Sequence, residues 1–399
     1  MTALQDICLL ITDGKHGDCQ DENGSGYYFV SCKDVRDGCI DYSDARQITE
    51  ADYLDTDRRT QLEANDIVVT NSGTIGRMAL VPNVPETKRT TFQKSVAILK
   101  PIQEKVVPHW LYYSLMANRE ALISWAGGTA QKNLLLRDMR AFDVEVPPLP
   151  TQRKIAVILS AYDDLIENNL QRIKILEEMA QNLYREWFVK FRFPDHQHAH
   201  FTNSPLGRIP EGWEVTEFRN LFEIKYGKTL PKTKIADVGP YPVYGAGDVI
   251  GYYDEVLYRE KCTLVTSRGN GSGTVWRTRE AAFVTNNSLI ILPRIEFKHW
   301  DYSFVELLLK HSNVMEAKTG SAQPQVTIEN LNYVKAIVPQ KPCVERFCSF
   351  ATPISEQVDL YLSKNATLRR MRDLLLPRLI SGEVDLSALD IAVPEEGVA

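Results

Sequence analysis

Two long stretches of the chain carry apolar residues at alternating steps of three and four. In the first, Leu159, Ile166, Ile173, Ala180 and Trp187 form one set, and Tyr162, Asn169, Leu176 and Leu183 form the other. In the second, Ala351, Val358, Asn365, Arg372 and Leu379 run beside Ile354, Tyr361, Leu368 and Leu375. A 3/4 alternation held over several heptads predicts a long helix with a narrow coiled-coil seam. Asn169 and Asn365 occupy seam positions, where Asn trades stability for register; the alternative is a solvated Asn at a frayed edge. Upstream, Pro147-Pro148-Leu149-Pro150 stops a strand over 143–146, and Thr151 is placed to cap the first helix. A helix of about 36 residues is then ~54 Å long, at ~1.5 Å per residue.

Short β-rich runs such as Ile67–Thr70 and Val96–Leu99, bounded by Gly, Pro and Asn, alternate with helical spacing over 110–124. The fold class expected is α/β in the mixed (α+β) sense. The chain also repeats itself. Gly128-Thr129-Ala130-Gln131, Val146-Pro147 and the helix positions Leu176, Met179 and Leu183 return 192 residues later as Gly320-Ser321-Ala322-Gln323, Val338-Pro339, Leu368, Met371 and Leu375. Farther upstream the match loosens: Asp66–Gly73 resembles Cys262–Gly269, and Ser95–Leu99 resembles Ser288–Leu292, at drifting offsets. Residues 1–60 and 213–260 share almost nothing. Such a repeat implies one supersecondary unit used twice. The division it suggests is a first globular domain over 1–150, a spacer helix over 151–190 and a linker over 191–212. A second domain over 213–342, a distal helix over 343–382 and a tail over 383–399, expected to be disordered after Leu389, complete it. Each helix leaving its domain toward the other makes the pair antiparallel, with a pseudo-two-fold axis. At ~3.4 Å per base pair, ~54 Å corresponds to roughly 16 base pairs of DNA.

With 399 residues the chain is long enough for two or more domains. No apolar run reaches the ~20 residues of a membrane span. Seven cysteines without a CxxC pair argue against a disulfide framework, so a cytoplasmic location is expected. The net charge of −6 does not favour a nucleic-acid binder, yet it is unevenly spread: Asp34, Asp37, Asp41, Asp44, Asp52, Asp55 and Asp57 crowd the first domain, and Lys225, Lys228, Lys232 and Lys234 the second. Catalytic signatures are wanting. Tyr226-Gly227-Lys228-Thr229 ends like a P-loop but has Phe222 where the first glycine belongs, and Gly269–Gly273 precedes no helix of the dinucleotide-binding kind. There is no Asn-Pro-Pro-Tyr-like tetrapeptide, GxSxG or HExxH. His196, His198 and His200 alternate without a Cys or carboxylate at ligand spacing, which reads as a solvated linker rather than a metal site.

What remains is a set of polar, glycine-rich loops at matched places, offering donors suited to phosphates and base edges. The DNA-contact candidates in the first half are Lys15, His16, Thr70, Asn71, Ser72, Thr74, Arg77, Thr129, Gln131 and Lys132. In the second half they are Lys228, Thr229, Tyr244, Ser267, Arg268, Asn270, Ser321, Gln323 and Gln325. The seam residues Tyr162, Ile166, Asn169, Ile173, Leu176 and Leu183, with Val358, Tyr361, Asn365, Leu368 and Leu375, are the candidates for a subunit interface.

Four segments carry a family likeness: Pro147–Ala156, Leu206-Gly207-Arg208-Ile209-Pro210-Glu211-Gly212-Trp213, Tyr241–Gly247, and Leu374–Gly382. Together they resemble the specificity (S) subunit of type I restriction–modification enzymes. The resemblance implies two target recognition domains, each reading half of a split, asymmetric DNA site, with antiparallel helices that set the gap. It also implies a subunit with no cofactor or active site of its own. Its partners are double-stranded DNA, two methyltransferase subunits that bring S-adenosylmethionine, and ATP- and Mg-dependent restriction subunits recruited through them. The second copy departs from the pattern: Lys341-Pro342-Cys343-Val344-Glu345-Arg346 stands where the first has Leu149–Lys154 with its Gln152. Two rivals stay open on sequence, a methyltransferase with a degenerate motif and a bivalent coiled-coil protein scaffold. An orphan S subunit is a further alternative.

Overall fold

The computed structural model describes residues 1–36, 38–127, 132–269, 271–320, 324–386, 389 and 391–392. The chain forms two compact units, one of Met1–Glu167 with Asn365–Ala399 and one of Asn168–Lys364. Each unit therefore combines a globular part with a stretch of both long helices, which span Leu149–Tyr184 and Lys341–Ile380. The two helices begin in register with the repeat, at Leu149 and Lys341. The seam positions are buried or half-buried as the heptad pattern requires.

In the first unit a four-stranded antiparallel sheet has the spatial order Cys8–Asp13, Val96–Pro101, Ile67–Thr70, Met78–Leu80. The second unit repeats it as Phe222–Tyr226, Ser288–Pro293, Thr263–Thr266, Val275–Arg277. The central runs, Val-Ala-Ile-Leu and Leu-Ile-Ile-Leu, are apolar throughout because both faces are covered. A smaller three-stranded sheet also recurs. Tyr28–Val30 pairs antiparallel with Arg46–Gln47 and parallel with Thr90–Phe92; Tyr241–Tyr244 does the same with Val249–Tyr253 and Phe283–Val284. Even the first turns match: Leu4–Ile7 and Phe218–Leu221 are one-turn helices leading straight into the first sheet strand. So 1–60 and 213–260, unrelated as sequences, are one structure twice. The first unit adds two features within this stretch: Val35–Arg36 paired with Cys39–Ile40, and an 11-residue helix, Glu50–Thr60, where the matching stretch 254–262 of the second forms none.

The expected helix over 110–124 is two helices, Pro108–Ala117 and Arg119–Ser124, broken where Asn118 turns its amide back to the Ser114 carbonyl (2.8 Å). Thr151 does not cap the long helix, which starts two residues earlier with Pro150 in its first turn, where a missing N–H costs nothing. The start is pinned instead by Gln152. Its buried amide accepts from Val107 N (2.8 Å) and donates to the Pro147 carbonyl (2.8 Å). In the second copy apolar Val344 takes that place, fully buried beside Phe347. The first helix widens into a π turn at Arg185–Val189 before the chain leaves it. The segment expected to be a solvated linker is docked: Phe191 and Phe193 lie on Trp213 with ring centroids 5.7 and 5.2 Å away, and Phe201–Ser204 forms a hairpin with Gly207–Pro210.

A carboxylate on one long helix ties down each globular part. In the first unit Asp163 accepts from Tyr113 Oη (2.5 Å) and pairs with Arg372. In the second, Asp359 accepts from Arg277 (2.8 Å) and Lys261 (2.7 Å), while Arg277 also reaches Glu306 (2.8 Å) and lies over the Tyr302 ring. Arg277 ends an edge strand of the large sheet, so this network joins sheet to helix. Leu386, beyond the second helix, is buried in the first unit's core with Leu4 and Ile155, and its carbonyl accepts from Lys154 (2.9 Å). The tail after Leu389 lies outside the described residues apart from 391–392.

Candidate nucleic-acid interface

In each unit one end of the large sheet gathers the candidate loops. In the second unit Tyr226 pairs with Leu289 and Thr266 with Ser288, so the chain leaves two strands at the edge where it enters the third. Gly227 N donates to the Ser288 carbonyl (3.1 Å), Lys228 N to Val284 (3.0 Å) and Ser267 N to Asn287 (2.8 Å). Ser288 Oγ ties in the 245–248 turn through the Gly245 carbonyl (2.7 Å), and Arg268 forms a bridge with Gln325. The first unit is built by the same bonds. Gly14 N donates to Val96 (3.3 Å), Lys15 N to Phe92 (2.7 Å), Asn71 N to Ser95 (3.0 Å), and Ser72 is bridged to Asn133. Five loops thus converge on one sheet end, carried on rigid strands, which is where binding groups are placed most accurately.

The candidates divide by burial. Thr70, Asn71, Tyr244 and Ser267 are buried and are corrected here to framework residues. Thr70 Oγ1 donates to the Thr74 carbonyl and accepts from Arg77 N (2.9 Å); Ser267 Oγ donates to the Val326 carbonyl (2.9 Å). The Tyr244 hydroxyl accepts from Arg279 N (3.1 Å), and its ring lies against Trp276. Arg77 is half-buried; its counterpart by hydrogen bonding is Thr274, not Gly273, because the second loop is one residue longer. Lys132, Lys228, Thr229, Arg268 and Gln325 are exposed, Ser72 is half-exposed, and exposed Thr74 donates its hydroxyl to the Cys32 carbonyl (3.2 Å). His16 is well exposed but leans on Asp13 (3.0 Å). Lys15 is held by Asp52 (2.8 Å) and Asp55 (3.4 Å). The bond from Lys15 pushes its own pKa up and holds the Asp52 carboxyl below the usual carboxylate range, helped by Gln20 N. Thr129, Gln131, Asn270, Ser321 and Gln323 lie outside the described residues.

The seam candidates divide by burial as well. Ile166, Asn169, Ile173, Val358 and Asn365 are buried, and Tyr162, Leu176, Leu183, Tyr361, Leu368 and Leu375 half-buried. Within the first unit the Asn365 amide donates to the Ile166 carbonyl (3.2 Å); within the second, Arg172 donates to the Tyr361 hydroxyl (3.2 Å). The seam is an intrachain one. Exposed apolar side chains sit off it, Leu165, Met371 and Leu374 in the first unit and Ile175, Met179 and Leu360 in the second.

Lys94 and Asn287 were not singled out from sequence, although each lies in the turn ahead of a matched strand and is bonded into the loop cluster of its unit, Lys94 N to the Lys15 carbonyl and Ser267 N to that of Asn287. Asking what precedes Ser95 and Ser288 would have found them. Among the described residues no cluster of His, Cys, Asp and Glu fits a metal ion, and no helix is long and apolar enough to cross a membrane.

A family model described as the type I restriction modification DNA specificity domain matches residues 2–178 and 210–357. The chain is 27% identical over 348 residues to the type I restriction enzyme MjaIX specificity subunit of Methanocaldococcus jannaschii, spanning 81% of this chain and 78% of that one. It is 22% identical over 373 residues to the HindI specificity subunit of Haemophilus influenzae, spanning 72% and 80%. In fold it is similar to the crystal structure of a type I restriction–modification S subunit from M. genitalium, with a TM-score of 0.59 over 95% of each chain at 17% identity.

Proposed function

The chain belongs to the type I restriction–modification DNA specificity family, and from that premise we propose that it is the sequence-reading subunit of such a system. Each globular part reads one half of a bipartite, asymmetric DNA site with the loops at its sheet end. The long helices set the gap and present their exposed apolar residues to two methyltransferase subunits, which supply S-adenosylmethionine and through which the ATP- and Mg-dependent restriction subunits join. The observation that carries this reading is the matched pair of loop clusters within a chain whose two halves both match the family model. Exposed Arg268, Gln325, Lys132 and Thr74 supply groups able to bond base edges or phosphates.

The test is genome-wide single-molecule mapping of adenine methylation in the host strain with and without this gene. Loss of one bipartite motif on deletion is the expected result and yields the target sequence. An unchanged methylome in a strain with an active methyltransferase partner overturns the reading.

A further inference from the structure

We propose that the Gly227-Lys228 turn grips the sugar–phosphate backbone of duplex DNA and that its structural twin, Gly14-Lys15, does not, so the two matched lysines serve their half-sites differently. This rests on the DNA-reading function proposed above. The two turns are the same construction. A Cβ on Gly14 would stand 1.9 Å from the Phe92 carbonyl oxygen, and one on Gly227 2.2 Å from that of Thr285. Both positions demand glycine because a neighbouring strand end passes beneath them. The lysine that follows forms the same parallel bridge in each, Lys15 to Gln93 and Lys228 to Thr285. The backbone therefore delivers a lysine to the same point of the loop cluster in both units.

What surrounds the ammonium differs. The helix Glu50–Thr60, which the second unit lacks, brings Asp52 and Asp55 onto Lys15 at 2.8 and 3.4 Å. The residue before the glycine is Asp13, paired with Arg59 (2.6 Å). A phosphate approaching Lys15 would have to displace Asp52 and face Asp13 and Asp55 as well. Lys228 is exposed, has no ion pair among the described residues, and has the exposed Tyr226 before its glycine where the first unit has Asp13. Lys228 shares its sheet end with exposed Arg268, which likewise has no ion pair among the described residues, so two cations face the same end of the sheet.

Fluorescence anisotropy of the full chain on a labelled random-sequence duplex, between roughly 50 and 200 mM KCl, reads the number of phosphate contacts from the slope of log affinity against log salt. Lys228→Met is expected to lower that slope by about 0.9 and Lys228→Arg to restore it, while Lys15→Met leaves it unchanged. A Lys228→Met slope equal to that of the unaltered chain, or an equal loss in Lys15→Met protein whose melting curve shows it folded, overturns the proposal. Failure of the unaltered chain to bind any duplex, with or without its methyltransferase partner, would instead strike the proposed function itself, and this proposal with it.

Discussion

The two globular parts share strand order, register and the bonds that gather their loops, yet almost none of the polar side chains that secure them. Gln152 pins the first long helix with hydrogen bonds where Val344 pins the second by apolar burial. Asp359 anchors the second unit through Arg277 and Lys261; at the residue matching Arg277 the first unit has Leu80 and relies on Asp163 with Tyr113 and Arg372. A fold fixed by backbone pairing and core volume tolerates different fastenings. A buried fastening can be changed only together with its partner.

The largest break in the symmetry should come from Asp359→Ala. It leaves the Arg277 guanidinium, 9% exposed, with Glu306 as its remaining carboxylate among the described residues and removes the Lys261 pair, a loss of about 3 kcal/mol. Hydrogen exchange followed unit by unit should place that loss in Asn168–Lys364, with Asp163→Ala weaker because that carboxylate is 33% exposed. Equal losses would mean that exposure does not govern these anchors. Next comes Gln152→Ala, which strands the Val107 N–H and the Pro147 carbonyl and should cost about 1–3 kcal/mol in urea unfolding, read in the first unit. A neutral result would show that water replaces the amide.

The smallest effect is expected for Lys15→Met, below about 1 kcal/mol, since both members of its pair with Asp52 are partly exposed. The sign with pH is fixed. The Asp52 pKa is lowered in the folded chain, so the pair stabilises above the ordinary carboxylate range and its contribution is lost as pH falls through the lowered value. Thermal melting from neutral to acidic pH should show that limb reduced in Lys15→Met protein. A limb of undiminished size would remove Lys15 as the cause.

The helices were legible because the heptad is a local code and repeats at a constant 192-residue offset. The large sheets were legible in part, through runs such as Ile67–Thr70 and Ser288–Leu292. The small sheets were not: Tyr28–Val30 and Tyr241–Tyr244 are short, and each pairs in parallel with a strand far along the chain, Tyr28 with Thr90 and Val243 with Phe283. The loop candidates were located by the repeat, but their division into framework and surface was hidden. Whether Thr70 or Thr74 faces out depends on strand pairing, and the capture of Lys15 by Asp52 spans 37 residues with no local signal. Tyr244 lay in a motif of the family likeness and is a core residue, a reminder that such motifs mark architecture as readily as contact.

Leu376, Leu379 and Leu386 complete the same core as Leu4, Trp110 and Ile155, and Lys154 bonds a carbonyl 232 residues farther along the chain. During translation the opening domain therefore emerges long before the residues that close its core. At roughly 5–20 residues per second it waits on the order of ten to forty seconds beside the ribosome with that apolar floor uncovered. The half made first is finished last, and a nascent chain arrested before Leu376 should be the form that chaperones hold.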